Sequence, residues 1–182
     1  MSQPSRLSPQ AVLRGYFHAK DENRPHLLAG VFAADADLRV VNNSANIAFP
    51  ETTHGREAIA EALVRRFAQT YENIYSFYMA SPSAEASQFS CTWLVGMTEK
   101  DSKSVRVGSG RYDWTFQSTA PSLASRLIIT IDAMQLLPPS EFEPVFAWLR
   151  RLNYPWSSAA EARDLAPSLE MLAPVLQHLG AE

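Results

Sequence analysis

The sequence predicts an α+β protein in which helices come first, a block of long strands follows, and a second helical segment comes last. Two observations predict this order. Up to about residue 72, apart from one early strand, apolar residues recur every three to four positions, as in a helix with one buried face. Between residues 74 and 134 the apolar period becomes two, as in strands. No helical segment interrupts these strands, so we expect them to pair as antiparallel neighbours.

Two helices are predicted near the N-terminus. In "LSPQAVLRGYFHAK", Ser8 is a typical N-cap and Pro9 suits the first helical position. Residues spaced by about one turn then form one face of this helix: Val12, Leu13, Tyr16, Phe17 and Lys20. A second, shorter helix is expected to begin at Pro25, and its buried side consists of Leu27, Leu28, Val31 and Phe32.

A strand and a long helix are predicted next. The segment "ADADLRVVNN" indicates a strand that becomes polar at Asn42, and a loop carrying Pro50 follows. From Gly55 to about Glu72 the apolar period is again helical, through Ile59, Leu63, Phe67 and Tyr71. The capping region of this helix is expected at Thr52, Thr53 or His54.

The strand block and the C-terminal segment complete the pattern. The strands are predicted in "IYSFYMA", "QFSCTWLVGMT", "VRVGSGRYDWTF" and "SRLIITIDAM". After Leu137 the pattern is helical, and two pairs have the capping-box spacing, Ser140 with Glu143 and Ser158 with Glu161. The apolar and aromatic residues of this segment must be buried on the chain's own sheet or on a partner subunit: Phe142, Phe146, Trp148, Leu149, Tyr154 and Trp156.

Composition excludes several classes of function. The 182 residues carry a net charge of -3 and no long run of Lys or Arg, which disfavours a nucleic-acid binder. The single cysteine, Cys91, cannot form an internal disulfide, and no spacing of His and Cys indicates a metal site. We therefore expect no metal and no cofactor. The polar N-terminus and the absence of a long apolar stretch predict a cytoplasmic protein without membrane contact.

The segments at residues 16–40 and 54–67, and more loosely "GRYDWTF" and "RLIITIDAM", resemble the nuclear-transport-factor-2-like superfamily. This superfamily includes ketosteroid isomerase, scytalone dehydratase and SnoaL-like polyketide cyclases. The resemblance implies that residues 1–137 form a cone, in which a curved antiparallel sheet carries N-terminal helices over its open face and encloses a mostly apolar pocket. Residues 138–182 would be a helical extension, packed on this domain or on a partner subunit. The resemblance also implies a homodimer that pairs through the outer face of the sheet.

The resemblance suggests catalytic candidates. Ketosteroid isomerase-like members use a tyrosine of the first helix, a carboxylate base of the first strand and an acid of a later strand. Tyr16 matches the tyrosine, but the base position falls at or near Val40, which cannot take a proton. Asp113 could match the later acid, although it would point outward if Tyr112 points inward. Asp132 could line the pocket or pair with an arginine at a dimer interface.

His54 has two interpretations. The imidazole is a common general acid or base near neutral pH, and the resemblance brings the start of the long helix close to the pocket mouth. Alternatively, His54 only belongs to the start of that helix, as Gly55 and the following "REAI" suggest. The candidate catalytic residues are therefore His54, Tyr16 and Asp113, and the candidate ligand-binding residues are Trp93, Tyr112, Trp114 and Asn42.

Three hypotheses for function follow from these residues. In the first, a SnoaL-like protein binds a small apolar or aromatic ligand in the pocket. In the second, the same pocket belongs to an isomerase, dehydratase or cyclase that uses acid/base residues and no metal. In the third, the pocket is filled by its own side chains, and the protein is an interaction module. The first two require an open cavity, whereas the third does not.

Overall fold

A computed structural model describes residues 7–181. Its six-stranded curved sheet has the strand order β2-β1-β6-β5-β4-β3. The strands are β1 (Phe32–Asn42), β2 (Thr52–His54), β3 (Tyr71–Tyr78), β4 (Gln88–Glu99), β5 (Val105–Phe116) and β6 (Ala124–Leu137). The four consecutive strands β3 to β6 are antiparallel neighbours, which confirms the prediction for this block.

The other side of the sheet differs from the expectation in two ways. Strand β1 lies parallel to β6, so the sheet is mixed rather than wholly antiparallel. The two strands can pair in this direction because the helical stretch and four strands, β2 to β5, separate them along the chain. In addition, Thr52–His54 forms the short edge strand β2, which is antiparallel to β1, instead of capping the helix. Gly55, with φ of 86°, then turns the chain into that helix.

Three helical segments precede the strand block β3 to β6. Helix α1 (Pro9–Asp21) begins as predicted, because the Ala11 amide donates to the Ser8 hydroxyl at 3.2 Å. The shorter helix that starts at Pro25 is a 3-10 helix, Pro25–Gly30. The predicted long helix is one helical stretch with three parts, α2 (Arg56–Ala60), a π-helical turn (Glu61–Arg65) and α3 (Arg66–Thr70).

The C-terminal segment contains three short α-helices, α4 (Phe142–Leu149), α5 (Ala159–Asp164) and α6 (Ala173–Leu179). Ser158 caps α5, since the Glu161 amide donates to its hydroxyl at 3.1 Å. The corresponding prediction for Ser140 is wrong. Ser140 lies inside the 3-10 turn Pro139–Glu141, which continues directly into α4, and no side chain caps that helix.

The two faces of the sheet bury two separate hydrophobic clusters. The inner core lies between the sheet, α1 and the helical stretch at residues 56–70, and its members include Phe17, Leu63, Trp93, Tyr112, Trp114 and Ile129. The outer core lies between the opposite face and the C-terminal helices, and its members include Phe77, Leu94, Val107, Phe146, Trp148 and Val175. The described C-terminal residues thus pack on the sheet of their own chain.

The aromatic residues of this segment have different environments. Phe146 and Trp148 are buried in the outer core, and the Trp148 indole donates to the Ala162 carbonyl at 2.9 Å. Trp156 instead stacks on Tyr78 beside the inner core, with ring centroids 4.9 Å apart. Tyr154 remains 58% exposed, so the expectation that all these rings are buried does not hold for it. Among residues 7–181, no helix has the length and apolar character needed to span a bilayer.

Candidate functional site

The inner core contains a cavity of about 50 Å³. It lies between α1, the helical stretch at residues 56–70, the loop before β2 and the inner face of the sheet. Its walls are mostly apolar and come from Val40, Ile47, Phe49, Leu63, Phe67, Val95, Met97, Ile129, Ile131 and Met134, and its polar groups come from Tyr16, Lys20, Trp93 and Tyr112. A volume of this size exceeds the roughly 10–15 Å³ that a single water molecule needs, so the interior is not completely filled.

Three of the predicted site residues, Tyr16, Trp93 and Tyr112, line this cavity. Trp114 lies beside them, and its ring centroid is 5.1 Å from that of Tyr16. Asn42 does not line the cavity. Its amide donates to the Ile47 carbonyl at 2.7 Å, and its side-chain oxygen accepts from the Ser44 amide at 3.0 Å. Asn42 therefore holds the loop that forms one wall.

His54 and Asp113 lie on the opposite face of the sheet. His54 pairs across the strands with Asp37, its Nδ1 is 2.7 Å from the Asp37 carboxylate, and its side chain is 73% exposed. This hydrogen bond raises the pKa of His54. Because Val40 lines the cavity, Asp37 and its partner must face outward. The structure therefore does not bring His54 to the cavity.

Asp113 follows the cavity-lining Tyr112 along β5, so alternation turns it away from the cavity. Its carboxylate accepts from the Ser90 hydroxyl and forms an ion pair with Arg111 at 3.0 Å. Among the described residues, no carboxylate side chain lines the cavity, and Val40 occupies the wall where a strand base was sought. The described residues that line the cavity therefore include no carboxylate that could act as the base of the ketosteroid isomerase mechanism.

The polar end of the cavity contains a lysine that sequence analysis did not select. The Lys20 ammonium is 2.5 Å from the Asp21 carboxylate and donates to the Ser76 hydroxyl at 3.1 Å. The Ser76 hydroxyl donates in turn to Asp21 at 3.1 Å, but the second carboxylate oxygen of Asp21 has no hydrogen-bond partner. Burial raises the pKa of Asp21, and the adjacent Lys20 opposes this effect.

Aromatic rings surround the same ammonium group. The Lys20 Nζ atom is 5.1 Å from the ring centroid of Phe67, 5.7 Å from that of Phe17 and 6.0 Å from that of Tyr16. These are cation–π distances, which help to stabilise a charge that has left water. The sequence did contain a signal for this residue, because Lys20 lies four positions after Tyr16 on the apolar face of α1.

The two cavity tyrosines form a coupled pair. Tyr16 is hydrogen-bonded to the side chain of Tyr112, and their ring centroids are 6.0 Å apart at an angle of 90°. Burial raises the pKa of both phenols well above the ordinary value, so both hydroxyls remain protonated at neutral pH. Beside them, the buried indole nitrogen of Trp93 has no hydrogen-bond partner.

A further polar cluster lies outside the cavity, on the outer face. His178 of α6 is 3.0 Å from the Ser109 hydroxyl and 3.0 Å from the Asp132 carboxylate. Asp132 is the extra residue of a bulge in β6, since Ser109 pairs with Ala133 and Gly110 with Ile131. Ser109 is fully buried, so this cluster anchors α6 on the sheet and presents no accessible nucleophile. Within residues 7–181, no group of three His, Cys, Asp or Glu side chains could hold a metal ion.

Solved structures of other proteins have the same fold. An NTF2-like protein from Burkholderia thailandensis aligns with a TM-score of 0.55 at 11% identity, over 69% of this chain and 92% of its own. A hexachlorocyclohexane dehydrochlorinase aligns with a TM-score of 0.54 at 14% identity, over 71% of this chain and 86% of its own. A ketosteroid isomerase-like protein from Catenulispora acidiphila, solved with trimethylamine, aligns with a TM-score of 0.52 at 16% identity, over 68% and 85%.

These similarities identify the fold as nuclear-transport-factor-2-like and confirm the fold that the resemblance in the sequence implied. The sequence itself matches no protein-family model and no curated protein. Identities of 11–16% establish the fold but carry no activity from one protein to another. Any function must therefore be argued from the cavity of this chain.

Proposed function

We propose that this protein binds a small, mostly apolar molecule in the cavity of its inner core. The observation that carries the proposal is the combination of apolar walls with polar groups that the protein itself does not satisfy. Buried polar atoms are nearly always hydrogen-bonded, yet the Trp93 indole nitrogen has no partner in the described structure. A ligand that accepted a hydrogen bond there would remove this cost.

The size of the cavity limits the ligand. A volume of about 50 Å³ is well below the roughly 300–1,000 Å³ of pockets that hold drug-sized molecules. A steroid or a polyketide would not fit without a large rearrangement. The structural neighbour that was solved with trimethylamine is a precedent for a small ligand on this fold.

A route into the cavity is suggested by Phe49 and Phe67. Their rings stack with centroids 6.1 Å apart, and both residues line the cavity as well as a groove on the outside of the protein. Rotation of Phe49 would join the two spaces and make room for a single aromatic ring, since a cavity that binds benzene measures roughly 150 Å³. The π-helical turn Glu61–Arg65 carries Leu63 into the same wall, and such turns occur frequently at functional sites.

The experiment that tests this proposal is titration of toluene into the protein, followed by calorimetry and thermal denaturation. We expect saturable binding and a rise in melting temperature. The double variant Val40→Ile/Val95→Ile adds two methyl groups to the cavity walls and should abolish binding. Val105→Ile/Val107→Ile, which makes the same change in the outer core, is the matched control and should leave binding unchanged. Absence of binding to the unmodified protein would favour an interaction module with a self-filled pocket.

A second candidate function is acid/base catalysis of the isomerase, dehydratase or cyclase type. The observation that favours it is the pair formed by Tyr16 and Tyr112, whose hydroxyls stay protonated and could stabilise a developing oxyanion. If this function is correct, Tyr16→Phe should lower turnover of a substrate about 100-fold or more while the substrate still binds. Equal loss of binding and turnover would argue for binding alone.

A homodimer and a cytoplasmic location remain predictions. The outer face of the sheet, which was expected to form the dimer contact, is covered over part of its area by Trp148, Leu149 and Val175 of the same chain. A dimer would therefore have to use the remaining part of this face or another surface. Light scattering during gel filtration of the full chain measures the mass directly, and a monomeric mass would overturn the dimer prediction.

A further inference from the structure

We infer that the ligand of this cavity is a small apolar acid whose single compact anionic group, such as a carboxylate, is recognised by Lys20. The inference rests on the proposed function and specifies its ligand class. It comes from a comparison of donors with acceptors. The side chains that line the cavity have more N–H and O–H groups than the protein provides with acceptors.

The unused donors come from three side chains. The ammonium of Lys20 has three N–H bonds, and the structure gives two of them to Asp21 and Ser76. The Trp93 indole N–H has no partner. Tyr16 and Tyr112 together have two hydroxyl hydrogens, and the hydrogen bond between them uses one. No carboxylate among the described residues lines the cavity, so the unmet demand is for an acceptor.

A cationic ligand fits this cavity less well, even though aromatic rings such as those around the cavity can bind an ammonium group. The rings of Phe17 and Phe67 already face the Lys20 ammonium at 5.7 Å and 5.1 Å. A second cation would meet a further N–H bond of Lys20 and no carboxylate among the described cavity residues. An anion could instead accept the N–H bond of Lys20 that Asp21 and Ser76 leave free.

The charge balance of the site predicts how an anion enters. In the ligand-free protein, Lys20 is neutralised by Asp21, so a bound carboxylate would leave one net negative charge. Asp21 contacts Lys20 and Ser76. Its charge also interacts at longer range with Glu22 and with Tyr16, Tyr78, Tyr112 and Tyr154. Burial already raises the pKa of Asp21, and a second anion beside Lys20 would raise it further. Asp21 should therefore take up a proton as the ligand binds.

The test compares three probes of similar size, benzoate, toluene and benzylamine, by calorimetry at neutral pH. We expect benzoate to bind about 10- to 100-fold more tightly than either of the others, because its carboxylate accepts charge-assisted hydrogen bonds. Repeating the benzoate titration in buffers of different ionisation enthalpy should reveal proton uptake. Uptake would be lost in Asp21→Asn.

The variant test uses the double substitution Lys20→Met/Asp21→Asn, which removes both charges and leaves no unpaired buried ion. It should lose the preference for benzoate and retain toluene binding. Lys103→Met is the matched control, since this exposed lysine pairs with Glu72 and neither residue lines the cavity. It should behave as the unmodified protein does.

Each outcome has a distinct meaning. Tighter binding of toluene or benzylamine than of benzoate by the unmodified protein would overturn the acid as ligand class while leaving the binding function intact. A benzoate preference that survives in the double variant would overturn the role of Lys20. If no probe binds, the proposed function fails, and the inference fails with it. The probe comparison on the unmodified protein holds even if the variant does not fold.

Discussion

The inner and outer cores lie on opposite faces of one sheet and are built from the same kinds of residues, but they differ in whether their buried polar side-chain atoms have hydrogen-bond partners. In the outer core, the Trp148 indole donates to a carbonyl and Ser109 meets His178. In the inner core and beside it, four buried side-chain atoms have no partner, one each on Asp21, Trp93, Trp114 and Trp156. No atom of the described outer core is in this group.

The two cores also differ in their space and charge. The inner core has a cavity of about 50 Å³, with Lys20 at one end. Close packing occurs in both cores, since a Cβ atom on Gly96 would lie 2.2 Å from the Leu149 side chain in the outer core and one on Gly108 would lie 2.5 Å from the Met134 side chain in the inner core. A core that serves only stability is expected to be filled and satisfied. This difference is the one expected if the outer core stabilises the fold and the inner core keeps the proposed ligand site, at some cost in stability.

The largest expected effect is on the outer core. Trp148→Ala removes a fully buried ring and should lower the free energy of unfolding by about 3–5 kcal/mol. Urea denaturation measures this change. Toluene binding by the variant, in the absence of urea, should remain as in the unmodified protein. Loss of binding in a variant that still folds would show that the two cores are coupled.

The next effect concerns the buried ion pair of the inner core. Lys20→Met leaves the Asp21 carboxylate buried without its cation and should destabilise the protein by about 3 kcal/mol. Addition of Asp21→Asn to this variant should recover most of the loss, because a buried pair contributes little when both partners are replaced. A double variant that is no more stable than Lys20→Met would contradict this interpretation.

A smaller and more selective effect is expected from two matched tryptophan substitutions. Trp148→Phe removes an indole that donates a hydrogen bond, so the Ala162 carbonyl loses its donor and stability should fall by about 1–2 kcal/mol beyond the change in ring size. Trp93→Phe removes an indole without a partner, so this extra cost should be absent. Equal losses in urea denaturation would mean that the polar atoms of the two cores do not differ in energy.

The smallest effect is the pH dependence that Asp21 imposes. Its pKa in the folded protein is raised above the ordinary value of 3.8, so the folded state holds the proton more tightly than the unfolded state does. This stabilisation is present at low pH and is lost as pH rises through the window between the two pKa values. Glu72 and Glu99 act in the opposite sense, because hydrogen bonds to Lys103 and Ser102 lower their pKa values.

The difference between the unmodified protein and Asp21→Asn isolates the contribution of Asp21. Melting temperatures should be recorded from about pH 4 to about pH 7. The unmodified protein should lose stability relative to the variant as pH rises. A difference that does not change over this range would refute the raised pKa of Asp21.

The comparison of the two cores also explains which features could be predicted from the sequence. Local patterns predicted local structure well, including the start of α1 at Ser8 and the alternating strands. Pairing of β1 with β6 could not be predicted, because these strands are distant in the chain and no local signal encodes their direction. The edge strand β2 was taken for a helix cap, since its three residues are too few for a period to be recognised.

Within the site, the aromatic residues on predicted inner faces were easier to predict than the polar groups. Tyr16, Trp93 and Tyr112 line the cavity because helix and strand periodicity determine which way a side chain points. His54 and Asp113 were selected for their chemistry, and both lie on the other face. Lys20 was visible on the apolar face of α1, but its pairing with Asp21 and Ser76 depends on the tertiary contact with β3.

The most direct test of the difference between the two cores is the NMR signal of the four tryptophan indole N–H groups during titration with benzoate. Each signal can be assigned by a Trp→Phe variant. We predict that the Trp93 signal moves as its N–H gains an acceptor, while the Trp148 signal, already bonded to Ala162, stays in place. An unmoved Trp93 signal, or a shift confined to Trp148, would contradict the assignment of the ligand site to the inner core.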